Sequence, residues 1–128
     1  MISINFRLYT GLFRLALMVY LIIISWLAFG TPPSGAAASV NDKVLHAGAF
    51  VVMAFLVEAA LPSFSFWRVK VAVLLGYGLF IEAVQWQLPY RDFSLLDLLA
   101  DAAGVLLYWA LHIPLWKLSD LFVSKVEV

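Results

Sequence analysis

The sequence predicts an all-α integral membrane protein, a four-helix bundle in one domain, and three observations carry that reading. Hydrophobic residues make up 65% of the 128-residue chain and charged residues only 12%. The apolar residues run in blocks close to the roughly 20 residues that a helix needs to cross a hydrocarbon layer, where every backbone amide must be satisfied within its own segment. The breaks between blocks are short and hold Pro, Gly and Ser.

The first span is expected over residues 12–29, with Arg14 near its start. A Gly/Pro/Ala/Ser stretch over 30–39 leads into the second span, 44–61, which Pro62 closes. After a turn over 62–68 the third span occupies 69–88, stopped by Pro89, and beyond a short loop the fourth occupies 95–115. The whole chain, 1–128, reads as a single domain without internal repeat or long linker. Arg7 and Arg14 before an apolar run and then Ala36, Ala37 and Ala38 imitate a secretory signal with its small-residue cleavage site. The run is long for such a segment and three more spans follow it, so a retained first span is the expectation.

Charge narrows the function classes. Net charge is zero and no Lys/Arg cluster reaches the density of a nucleic-acid or anionic-lipid footprint, so charge indicates neither partner class and no nucleic acid is expected as a partner. Cysteine is absent, which removes disulfides, thiolate metal sites and cysteine nucleophiles. With four spans, Arg7, Arg14, Arg68, Lys70, Lys117 and Lys125 share one side, and Lys43 and Arg91 share the other. Cytoplasmic loops collect Lys and Arg, so both termini are expected inside and the 30–41 and 89–94 loops outside. Trp67, Trp86, Tyr90 and Trp116 fall near expected span ends, as interfacial aromatics do.

That topology gathers polar residues at the outer end. Asp42, Lys43 and His46 open the second span, Glu82 and Gln85 end the third, Arg91 and Ser94 lie in the following loop, and Asp97 and Asp101 begin the fourth. Ionisable groups at membrane depth are expensive and mark functional sites by default. Part of the set also fits helix capping: Asn41 or Asp42 as an N-cap, and Ser94 with Asp97 as a variant capping box. Asp101 has left the first turn, roughly 10 Å beyond Ser94 at 1.5 Å per residue, so capping does not account for it. An acid at a helix C-terminus opposes the dipole, so Glu82 is expected within reach of Lys43, His46 or Arg91. Gly104, on the face of Asp97 and Asp101, is expected to admit a close neighbouring helix. His112, Glu58, Asp120 and Glu127 read as ordinary residues of the inner interface.

The ordered motifs Asp42-Lys43-x-x-His46, Glu82-x-x-Gln85, Arg91-x-x-Ser94-x-x-Asp97 and the step to Gly104 resemble the VanZ-like family of small bacterial membrane proteins. The likeness spans residues 42–107. That family commonly carries asparagine where this chain has Asp101, so an extra acid enters the site. The family takes its name from a member associated with resistance to the glycopeptide teicoplanin. The resemblance implies a bacterial inner-membrane protein of the cell envelope, multi-pass, with its polar site facing outward.

Three functions fit these residues. In the first, Lys43, Arg91 and His46 grip an anionic group of an envelope lipid, lipid-linked glycan or glycopeptide while carboxylates bind its hydroxyls or amines. In the second, His46 with Glu82 or Asp97 acts as acid and base on a lipid-linked substrate, with a metal on Asp42, His46, Asp97 and Asp101 as one version. Neither a nucleophile motif nor a metal-ligand spacing supports that version, and no metal or cofactor is expected. The third, a small proton-coupled exporter, resembles the small multidrug transporters in size, but the first span lacks their acid. Membrane lipids are the expected partners, and the apolar exterior could dock a second copy or an envelope subunit.

Overall fold

The computed structural model describes residues 6–32, 34–35 and 38–126, and the side chains of these except 38–40 and 113–126. Ala36, Ala37 and the side chains of Trp116, Lys117, Asp120 and Lys125 therefore lie outside the described residues, as does Glu127. Four α-helices follow one another: α1 Phe6–Ala28, α2 Ala38–Ala60, α3 Val71–Gln85 and α4 Leu95–Val126. No strand occurs among the described residues. Three segments, Phe6–Ala28, Asn41–Ala60 and Leu95–His112, are long and apolar enough to cross a membrane. α3 has only 15 residues, but a π-helical turn, Phe66–Lys70, runs directly into it. Together they make a rod of about 30 Å at 1.5 Å per residue.

α2 is the centre of the assembly, packed along α4 on one side and α1 on the other. Phe50, Met53, Ala54 and Val57 recur at the helical spacing that lines up one face, and that face meets Leu74 of α3 and Val105 of α4. Leu17, Leu21 and Ile24 of α1 close over the same cluster. Gly104 lets α4 reach α2: a Cβ there would run into the Ala47 carbonyl and lie 3.0 Å from the Phe50 Cβ. The small residue expected to admit a neighbour does so.

Inside and outside are inverted relative to a protein in water. Lys70, Glu82, Gln85, Asp97 and Asp101 are buried, whereas Trp26 is 82% exposed and Ile22, Met18, Leu95 and Trp86 stand free. Water drives such side chains inward, but lipid tails are as apolar as they are. The arrangement fits a hydrocarbon solvent, in which polar groups must find partners within the protein.

Two helix boundaries differ from expectation in ways that matter. α2 begins at Ala38, so Asp42 is already in its second turn and cannot be its N-cap. α4 continues past residue 115 to Val126. At the end remote from Asp42, Glu58, read as interfacial, is ion-paired with Lys70, counted among the orienting cations: Lys70 Nζ lies 2.9 Å from Glu58 Oε2, with Lys70 itself 1% exposed. Beside them Arg14 Nε donates to the Ala60 carbonyl at 3.1 Å, satisfying an orphan acceptor at the C-terminus of α2.

Candidate functional site

The expected residues do converge, but they divide into two sets with different work. The first set ties helix ends together. The N–H of Ser94 donates to Glu82 Oε2 at 2.8 Å, and Ser94 Oγ accepts from the N–H of Asp97 at 3.2 Å. In an ordinary capping box the acid three residues after the cap would take the N–H of the cap residue. Here Glu82, from another helix, takes it. The negative oxygen sits at the positive end of the α4 dipole.

The same connection holds α1. Gln85 Nε2 donates to the Ala28 carbonyl at 2.9 Å, Tyr90 Oη to Phe29 at 2.8 Å and Arg91 Nε to Gly30 at 3.1 Å. Three successive carbonyls at the end of α1, which no helical N–H can satisfy, are thereby filled. Tyr90, noted in the sequence as an interfacial aromatic, is part of this clasp. The sequence offers no sign of it, because its acceptors are backbone groups some 60 residues away.

The second set is an ionic cluster between α2 and α4. Released from capping, the Asp97 carboxylate accepts from Lys43 Nζ through Oδ1 at 2.7 Å. His46 lies between two acids: Nδ1 is 2.8 Å from Asp101 Oδ1, and Nε2 is 3.9 Å from Asp97 Oδ2. Asp101 is 1% exposed, and its Oδ2 occupies the space that a side chain on Gly78 would need, 2.7 Å from that Cβ position. Asp42, one turn before His46, acts electrostatically on it and on Lys43. The half-buried imidazole is thus oriented by one carboxylate and presents its second nitrogen to others.

Glu82 does not pair with Lys43, His46 or Arg91 as expected; its partner is the α4 backbone, which supplies compensation without a cation. Its second oxygen, Oε1, is buried without a hydrogen-bond partner. Asp97, His46, Asp101 and Lys43 act on Glu82 electrostatically.

A cavity of about 410 Å³ opens beside the cluster, between α1 and α2. Tyr20, Ile24 and Leu27 of α1 and Leu45, Phe50 and Val52 of α2 give it apolar walls. Asp42, His46, Gln85, Arg91 and Asp101 also line it. Lys43, Glu82, Ser94 and Asp97 lie behind that lining, in the networks described above.

Apolar helices enclosing a charged cluster define a membrane-type helical protein. The chain belongs to the VanZ/LLP1 family, whose model matches residues 12–117. No curated protein and no solved structure matches it.

Proposed function

We propose that the protein binds an amphiphilic component of the bacterial envelope, a lipid, lipid-linked glycan or glycopeptide, at the outer leaflet of the inner membrane. The cavity supports this above all else: its α1 and α2 walls suit a hydrocarbon chain, and Asp42, His46, Arg91 and Asp101 suit a polar head. The outward orientation rests on the cations. With Lys70 set aside as a buried ion-pair partner, Arg7, Arg14, Arg68, Lys117 and Lys125 still outnumber Lys43 and Arg91. A role in glycopeptide sensitivity follows from the same placement, because a protein that holds an envelope precursor there alters what a glycopeptide can reach.

The test is lipid identification by mass spectrometry on protein purified in mild detergent. Gly48 lines the cavity, and a Cβ added there meets nothing within 4 Å. Gly48→Leu should therefore fold normally, narrow the cavity and strip away the co-purifying amphiphile. An unchanged lipid complement in Gly48→Leu would defeat the proposal.

The His46–Asp101 pair favours one second reading, an intramembrane enzyme in which His46 is acid or base. Conversion of the bound lipid by wild type, lost in His46→Gln with binding retained, would select it over recognition alone.

A further inference from the structure

We propose that Asp42, His46 and Asp97 form a binding site for a divalent transition-metal ion, with Asp101 as the residue that orients His46. One donor atom from each of the three lies within 4.8 Å of the others. His46 Nε2 and Asp97 Oδ2, at 3.9 Å, already fall inside the separation of about 4.2 Å that two ligands at 2.0–2.1 Å from one ion can span. Asp42 stands one helical turn from His46 on α2 and needs only a side-chain adjustment to close the third contact.

Three features beyond proximity favour an ion. Asp101 holds Nδ1 of His46 at 2.8 Å, which leaves Nε2 as the free nitrogen; this carboxylate–imidazole arrangement is how proteins fix a metal-bound histidine. Lys43 engages Asp97 through Oδ1, so Oδ2 stays available without loss of that ion pair. Glu82 is wholly buried, responds to the charges of His46, Asp97 and Asp101, and keeps Oε1 without a donor.

Charge points the same way. When ionised, Asp42, Glu82, Asp97 and Asp101 place four negative charges around Lys43 and a single imidazole, in surroundings that penalise unpaired charge. A dication would offset two of those charges and Lys43 a third. One imidazole and two carboxylates suit zinc or manganese better than magnesium. Three protein ligands leave a position open, and Asp42 and His46 both face the cavity. An anionic headgroup entering the cavity could fill that position, a step that rests on the proposed amphiphile binding; the metal site does not.

The test uses untagged full-length protein in lipid nanodiscs, stripped with chelator and titrated with Zn²⁺ alone by calorimetry. Wild type should bind one equivalent, and Asp42→Asn and His46→Gln should each weaken binding at least tenfold. Asp101→Asn, which keeps an acceptor for Nδ1–H, should weaken it less than Asp101→Leu. Magnesium in hundredfold excess should not displace the zinc. Asp42 is half-exposed, so Asp42→Asn tests the site even if His46→Gln misfolds. Equal zinc affinity in wild type and Asp42→Asn, or no saturable binding in wild type, overturns the proposal whatever lipid the protein carries. Lipid bound by metal-free protein without any zinc site would overturn this inference and leave the proposed function standing.

Discussion

The protein buries charge at both ends of α2, and the two ends are built differently. At the Glu58 end one lysine meets one carboxylate, both in direct contact, and the nearby Arg14 is committed to a backbone carbonyl. At the His46 end carboxylates exceed cations, the imidazole lies between two of them, and a cavity adjoins the group. The first arrangement is closed: one carboxylate faces its own cation, with no surplus of either sign. The second is open. Burial of charge alone does not separate a structural pair from a site; surplus of one sign beside accessible space does.

The largest expected effect assigns the two ends to their sides of the membrane. A cysteine at Asp92, in the loop beside Arg91, should be labelled in intact cells by an impermeant thiol reagent, and one at Ser65, beside the Lys70 turn, should not. Labelling of Ser65 and protection of Asp92 would reverse the orientation and place the open end inside.

Breaking the closed end comes next. Lys70→Met should destabilise by about 2–3 kcal/mol, below the 3–5 of a fully enclosed pair because the Glu58 side chain is 29% exposed. Adding Glu58→Leu should recover most of that loss. Co-purifying lipid should be unaffected in both variants, whereas Lys43→Gln should lose lipid; lipid loss in Lys70→Met and the double variant would erase the distinction between the ends.

Gly104→Ala should cost about 1–3 kcal/mol by thermal unfolding, since the added methyl meets the α2 backbone, which cannot rotate away as a side chain would. A neutral result would mean that α2 and α4 pack less closely than described.

The smallest effect is expected at Asp101. Asp101→Asn should shift stability by less than about 1 kcal/mol, because the lost charge is offset by relief of its desolvation. Lipid binding should survive it and fall in Asp97→Asn, which weakens the hold on Lys43. Loss of lipid in Asp101→Asn with retention in Asp97→Asn would invert the roles given to the two acids.

Much of the open end was legible in the sequence because helical spacing and span order bring Asp42, Lys43, His46, Asp97 and Asp101 to one level. What the sequence concealed was partner choice. Asp42 looked like a cap because the Ala-rich approach to α2 reads as loop, yet the helix starts at Ala38. Glu82 was expected to need a cation, but the N-terminus of α4 offers a partial positive charge that no residue type announces. Gln85 and Arg91 read as ligands for a bound molecule, and each also holds a carbonyl at or just past the end of α1. The Glu58–Lys70 pair does leave a signal in the sequence. The turn opened by Pro62 folds α2 back on the following helix, and residues near the two sides of such a turn meet.

Glu82 finishing the first turn of α4 has a consequence for how the chain enters a bilayer. Until α4 arrives, the Glu82 carboxylate lacks its donor; until α3 is in place, α4 begins with a bare amide at Ser94. Each segment carries the remedy for the other, so they are expected to leave the insertion machinery as a hairpin rather than in turn.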